Sequence, residues 1–222
     1  MPVILSEARS AQPKDPEHQE RDTMIPAPRT ATIERSTSET SITLSLNLDG
    51  SGKQNIETGV PFFDHMLHAI SKHGRFDLNI KATGDLEVDA HHTVEDVGIV
   101  LGKAFEEALG DKRGITRFGQ AVVPMDESLV LAAVDISGRG QLHWDAPVPI
   151  EFIGNFDSSL FKEFLIAFAT GAGLTLHVRK LAGDNAHHII EAAAKATARA
   201  LAEAVALDQR ALHSVPSTKG SL

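Results

Sequence analysis

Apolar and polar residues change their period several times along this chain, and each change marks an element. From Thr40 to Leu48, Ile42, Leu44, Leu46 and Leu48 alternate with Thr43, Ser45 and Asn47, which predicts a strand with one buried face. Asp49-Gly50-Ser51-Gly52 closes it as a turn. Pro61 opens an apolar segment, Phe62 to Ile70, that predicts a helix ending near Gly74, because proline fits the first helical turn and glycine releases the last. Phe76 to Ala82 alternates again and predicts a second strand. Beyond His91-His92, the residues Val94, Val97, Val100, Leu101, Ala104, Phe105 and Ala108 share one face of a long helix, and Gly110 stops it.

The second half repeats this order. Leu129 to Ile136 predicts a strand, Ser137-Gly138-Arg139-Gly140 its turn, Leu160 to Ala169 a helix and Leu174 to Val178 a strand. His187-His188 then precedes an Ala-rich helix running to about Leu207. The spacings agree as well. Glu39 lies 11 residues before Gly50 and Glu127 lies 11 before Gly138. His65 lies 26 residues before His91, and Glu163 lies 24 before His187. Several matches in one order indicate duplication of a strand-strand-helix-strand-helix unit. The expected fold class is therefore α+β, an internally duplicated unit with two small β-sheets related by a pseudo-two-fold and helices packed on one face. The first repeat is expected over residues 29–115 and the second over 116–222. Residues 1–28 carry Pro13, Pro16, Pro26 and Pro28 among mixed charges with no sustained apolar period, and they read as a disordered N-terminal tail.

Composition narrows the chemistry. The 222 residues contain no cysteine, so disulfides and thiolate metal sites are excluded, and histidine and carboxylate remain as ligands. A formal net charge of -9 repels nucleic-acid phosphates, so no nucleic-acid partner is expected. No apolar run is long enough to span a membrane, and the N-terminus lacks the apolar stretch of a secretory signal, so a cytoplasmic location is expected. The 11 histidines are the compositional oddity, and their grouping matters more than their number.

The grouping is a His-His-x-x-Glu motif present twice, as His91, His92 and Glu95 and as His187, His188 and Glu191. In a helix, positions i, i+3 and i+4 share a face. Adjacent histidines point about 100° apart, so one helix start can serve two metal ions. A single His-His pair reads equally well as a solvated helix end. Two pairs, each with Glu at the same offset, favour metal. Imidazole with carboxylate suits Mn, Fe, Zn, Co or Ni. The duplication nominates His65 and Glu163 as further ligands at matching positions. Asp85, Asp89 and Asp184 flank the pairs and could orient imidazoles. Glu39 is a candidate acid or base. His73 precedes Gly74 at a helix end, where histidine often only complements the dipole. His68, His143 and His177 read as core or surface. Arg117, Arg139 and Lys219 are candidates for an anion site, and Ser217-Thr218-Lys219-Gly220 is a weak phosphate-gripping segment.

Taken together, Phe62-Phe63-Asp64-His65-Met66-Leu67, Asp89-Ala90-His91-His92-Thr93-Val94-Glu95-Asp96, Ser137-Gly138-Arg139, Gly183-Asp184-Asn185-Ala186-His187-His188-Ile189-Ile190-Glu191 and Val215-Pro216-Ser217-Thr218-Lys219-Gly220 resemble the imidazoleglycerol-phosphate dehydratases. The resemblance runs from about Arg29 to Leu222. It implies a duplicated unit of the ribosomal-protein-S5-domain-2-like type, two Mn2+ ions per active site, and a homo-oligomer of twenty-four subunits built from trimers with sites at subunit interfaces. It implies His65, His91, His92, Glu95, His187, His188 and Glu191 as metal ligands; at the remaining ligand position many members carry His where this chain has Glu163, and the internal repeat, which aligns Glu163 with His65, nominates it as the eighth. It gives Arg117, Arg139, Ser217, Thr218 and Lys219 to the phosphate of a small phosphorylated imidazole substrate, and Glu39 and His73 to catalysis. The implied reaction dehydrates D-erythro-imidazole glycerol phosphate to imidazole acetol phosphate in histidine biosynthesis. Two other readings stand beside it: a dinuclear metallohydrolase acting on a phosphorylated small molecule, and a non-catalytic metal-storage cage.

Overall fold

A computed structural model describes residues 28–222. The tail expected over residues 1–28 falls, apart from Pro28, outside the described residues. The first half runs β1 (Thr30–Ser36), β2 (Thr40–Asn47), β3 (Gln54–Glu57), α1 (Pro61–Gly74), β4 (Asp77–Gly84) and α2 (His91–Leu109). The second runs β5 (Phe118–Met125), β6 (Ser128–Asp135), β7 (Gln141–Asp145), a short hairpin of β8 (Phe152–Ile153) and β9 (Phe156–Asp157), then α3 (Leu160–Gly171), β10 (Thr175–Ala182) and α4 (Ala186–Val205).

The duplication extends to topology. The sheets are ordered β1-β2-β4-β3 and β5-β6-β10-β7. In both, the first two pairings are antiparallel and the last is parallel. The first unit has three strands before its first helix, and the second has three plus the β8–β9 hairpin, rather than the expected two. The unforeseen strands β1, β3, β5 and β7 lie at sheet edges. Edge strands are commonly short and polar; β1 buries only Ala31 and β3 only Ile56, too few apolar positions for an alternation to register. The central strand β2, by contrast, buries Thr40, Ile42, Leu44 and Leu46 at every second position.

The helices cover one face of each sheet and meet crosswise. α2 packs on α3 and α1 packs on α4, so the two sheets lie outside a shared helical core that includes Phe63, Phe105, Phe164 and Phe168. Gly98 and Gly102 permit the α2–α3 contact. A Cβ on Gly98 would meet the Phe164 carbonyl oxygen at 2.7 Å, and one on Gly102 would meet that of Phe168 at 2.6 Å and the Ala172 nitrogen at 2.8 Å. Alanine in a helix interior gains about 1 kcal/mol over glycine, but overpacking against backbone on two sides costs roughly 1–3 kcal/mol. Gly102→Ala is therefore expected to lower stability on balance, read as a lower urea midpoint. A midpoint at or above that of the parent chain would contradict the close approach.

The start of α2 is anchored from below. Asp96, 7% exposed, accepts hydrogen bonds from the Arg35 guanidinium on β1 and the Thr40 hydroxyl on β2. This fixes the helical turn that carries His91, His92 and Glu95. Among the described residues no helix is long and apolar enough to cross a membrane.

Candidate metal centre

Both histidine pairs lie inside their helices rather than before them, in the first turns of α2 and α4. Each turn is held by a side chain. The Asp89 Oδ1 accepts the His91 amide at 2.7 Å, and the Asn185 Oδ1 accepts the His188 amide at 3.1 Å. The start of α1 is fixed by Asp64, whose Oδ1 accepts from the Thr58 amide at 3.0 Å and its hydroxyl at 2.6 Å. His65 follows one residue later and points outward, with Phe63 and Met66 buried on either side.

Because α1 packs on α4, His65 meets the second motif. Its Nε2 lies 3.3 Å from the Glu191 Oε2, and the His187 Nε2 lies 3.1 Å from the same oxygen. Among the described residues, His65, His187 and Glu191 form the one group of three such side chains whose ligand atoms all lie within 4.8 Å of one another. The Phe62 ring stands edge-on to His187 at 5.0 Å, which restricts the imidazole to this side. Glu191 is 7% exposed. Burial alone would raise its carboxyl; Lys195, with its Nζ 2.6 Å from the Oε1, overrides that together with His65 and His187 and holds it at about 2. Two imidazole nitrogens and one ionised carboxylate oxygen converging on one point fit a divalent transition ion.

The second histidine of each pair is turned elsewhere. A carboxylate can only accept, so the His92 Nδ1–H donates to the Asp85 Oδ2 at 3.0 Å and the His188 Nδ1–H to the Glu127 Oε2 at 2.7 Å. These bonds raise both imidazole pKa values and hold the Glu127 carboxyl at about 2. In the first motif the His91 Nε2 lies 3.8 Å from the Glu95 Oε2. Glu163 stands apart from the convergent triad, beside Trp144, Pro147 and Val148. Asp184 is exposed. His143 and His177 stack on each other at 4.3 Å on the outer face of the second sheet.

The anion candidates gather at the opposite end of the second sheet. The Arg117 Nε donates to Asp135 at 2.8 Å and its Nη1 to the Pro216 carbonyl at 2.9 Å. Arg139 is exposed in its turn, and the terminal Leu222 packs over Gly138. Ser217 accepts the Lys219 amide at 3.2 Å, so the tail from Pro216 to Lys219 curls beside the two arginines. His73 lies elsewhere, in a cleft lined by Arg29, Arg75 and Arg199. Partial burial and then Lys195 and Arg199 depress its pKa.

The family model of imidazoleglycerol-phosphate dehydratase matches residues 58–201. The chain belongs to this family. It is 58% identical over 194 residues to the imidazoleglycerol-phosphate dehydratase of Desulforamulus reducens, covering 87% of this chain and 98% of that one. It is 59% identical over 190 residues to that of Acetivibrio thermocellus, covering 86% and 97%. Among solved structures, the dehydratase of Staphylococcus aureus is similar with a TM-score of 0.74 at 38% identity, covering 81% of this chain and 99% of that one. The Pyrococcus furiosus enzyme, solved in complex with (S)-C348, gives a TM-score of 0.74 at 40% identity, covering 86% and 100%. Membership makes this chain a dehydratase and sets aside the hydrolase and storage readings.

Two residues of the candidate centre were not foreseen from the sequence. Lys195 sits four residues after Glu191, the spacing at which Glu and Lys meet on a helix, and that signal was available. Glu127 matched Glu39 only in spacing. Nothing local in the sequence linked it to His188, which lies 61 residues away.

Proposed function

We propose that this dehydratase converts D-erythro-imidazole glycerol phosphate to imidazole acetol phosphate at a site holding two Mn2+ ions. The observation that carries the reading is the convergence of His65, His187 and Glu191, because the duplication supplies a second set in the same order. α3 packs on α2 as α1 packs on α4, so Glu163 corresponds to His65, and His91 and Glu95 correspond to His187 and Glu191. We assign one ion to each set, with His92 and His188 completing the two shells from neighbouring subunits. When bound, the ions would stabilise negative charge developing on the imidazole ring.

The chain's own residues do the rest. The C–H to be broken, on the second carbon from the ring, which becomes the ketone, is a poor acid and needs a placed base. Glu39 suits this role: it is exposed immediately before β2, and the Asp85 amide binds its backbone carbonyl at 3.1 Å, close to His92. His73 lies eight residues after His65 on α1, about 12 Å along the helix axis, too far to share the same proton. Glu39 takes the proton from that carbon, the hydroxyl on the ring-attached carbon leaves as water once protonated, and the resulting enol tautomerises to the ketone. Arg117, Arg139, Ser217, Thr218 and Lys219 hold the phosphate.

The reading requires more than one subunit. His188 is bonded beside the start of β6 and Arg117 at its end, and an eight-residue strand separates its ends by roughly 23 Å. No small phosphorylated imidazole spans that gap, so the phosphate grip at one chain's metal centre comes from another chain. Such heterologous contacts close into rings and cages, in keeping with a homo-oligomer of twenty-four subunits built from trimers.

Elemental analysis joined to a dehydration assay tests the proposal. Two Mn2+ per active site are expected, and fewer than two in fully active enzyme overturns the dinuclear centre. Glu39→Gln is expected to lower turnover by about 10²–10⁴-fold with metal content unchanged. Near-normal turnover would remove Glu39 as the base.

A further inference from the structure

We propose that Asp85 and Glu127 are positioning residues that hold the second histidine of each pair for metal, and that Asp85 frees Glu39 to act on substrate. The inference rests on the dinuclear reading and divides labour within it.

The two repeats solve one problem from different elements. Glu127 immediately precedes β6, and Glu39 holds the equivalent position immediately before β2. In the second repeat this glutamate is fully engaged. Its Oε2 accepts the His188 Nδ1–H at 2.7 Å, and its Oε1 accepts the Ser128 hydroxyl at 3.0 Å and the Asn185 amide at 3.2 Å. It thus ties the hairpin to the start of α4. Symmetry alone would have Glu39 clamp His92 in the same way. Instead, the His92 Nδ1–H goes to Asp85, from the end of β4. The Glu39 carboxylate accepts no hydrogen bond among the described residues, and Glu39 is exposed.

Backbone geometry makes the substitution of one carboxylate for the other possible. A Cβ on Gly84 would lie 2.1 Å from the Thr93 hydroxyl, so only glycine lets the end of β4 press against α2 and deliver Asp85 to His92. At the corresponding end of β10, Gly183 has φ +109° and a Cβ there would lie 2.6 Å from the Ser128 Cα; there the approach serves the Glu127 clamp.

The chemical consequence is the same at both places. A carboxylate on the Nδ1–H leaves the Nε2 lone pair as the ligand atom, fixes the ring plane and raises its basicity. Removing such a partner weakens metal binding about 10–100-fold. Because Asp85 holds His92, the Glu39 carboxylate has no clamp to form and no hydrogen-bond partner among the described residues, at the same end of the unit as His92.

The experiment measures the Mn2+ dissociation constant of the assembled enzyme by equilibrium dialysis, the visible spectrum of the Co2+-loaded form and the melting temperature of the metal-free form. Asp85→Asn and Glu127→Gln are each expected to weaken Mn2+ by about 10–100-fold and to shift the Co2+ bands, with metal-free melting close to the parent. Glu39→Gln is expected to leave the dissociation constant and the Co2+ spectrum as in the parent. If Glu39→Gln weakens Mn2+ as much as Asp85→Asn, the division of labour is overturned. If Asp85→Asn and Glu127→Gln bind within twofold of the parent with unchanged spectra, the clamps are overturned. Loss of melting temperature in the metal-free form, with unchanged Co2+ bands, marks a purely structural role and also overturns them. Failure of the underlying reading looks different: the parent itself would then bind no Mn2+.

Discussion

His187→Asn is expected to abolish dehydration and to remove one bound metal ion per subunit. The substitution isolates the metal function because His187 carries little of the fold. Its side chain is 41% exposed and it sits in the first turn of α4, where Asn185 caps the neighbouring amide. Exposed substitutions away from packed features change stability by about 0.5 kcal/mol or less, so the metal-free melting temperature should barely move. The chemistry should change far more. An ion opposite a developing negative charge supplies several kcal/mol, and about 4 kcal/mol is a thousandfold in rate. Turnover is therefore expected to fall by about a thousandfold or more. Glu191→Gln would be a poorer probe, because it strands the Lys195 ammonium, 19% exposed, without its partner. Enzyme assay with metal analysis decides the matter: a His187→Asn enzyme that keeps its full metal and a tenth of its turnover does not use this triad.

Two inactive variants are expected to rescue each other. Arg139→Gln removes an exposed arginine from the proposed phosphate grip, and His187→Asn removes a proposed ligand at the other end of the second sheet. Each should be inactive as a pure assembly. If every site draws its triad from one chain and its phosphate grip from another, a random mixture of the two contains about a quarter of sites with both halves intact. Co-expressed, differently tagged chains purified through both tags should therefore regain about a quarter of the parent activity. A mixed assembly as inactive as its components would show that one chain supplies the whole site, against the roughly 23 Å that β6 sets between its two halves.

Much of this architecture was legible in the order of residues. The alternation in Ile42, Leu44 and Leu46 marked the central strand, and Gly74 and Gly110 marked helix ends. The paired His-His-x-x-Glu motifs and the shared spacing of Glu39 and Glu127 revealed the duplication. The edge strands were not legible, because β1 and β3 each bury a single apolar side chain and are held by backbone hydrogen bonds to β2 and β4, which any sequence can make. The placing of His143 and His177 against each other was equally hidden, since parallel pairing of β7 with β10 sets it.

At the site, sequence alone determined which residue types were available and which faces of α2 and α4 they share, because a 3.6-residue period fixes that locally. Only tertiary structure decided who meets whom. The repeats exchange partners, α1 with α4 and α2 with α3, so His65 of the first repeat completes the motif of the second. The same packing gave His92 to Asp85 and His188 to Glu127, leaving the Glu39 carboxylate without a hydrogen bond among the described residues, although Glu39 and Glu127 are equivalent by spacing. The physical reason is that a side chain's chemistry is carried by the residue, whereas its partner is chosen by how glycine-lined backbones such as those at Gly84, Gly98 and Gly102 are able to approach.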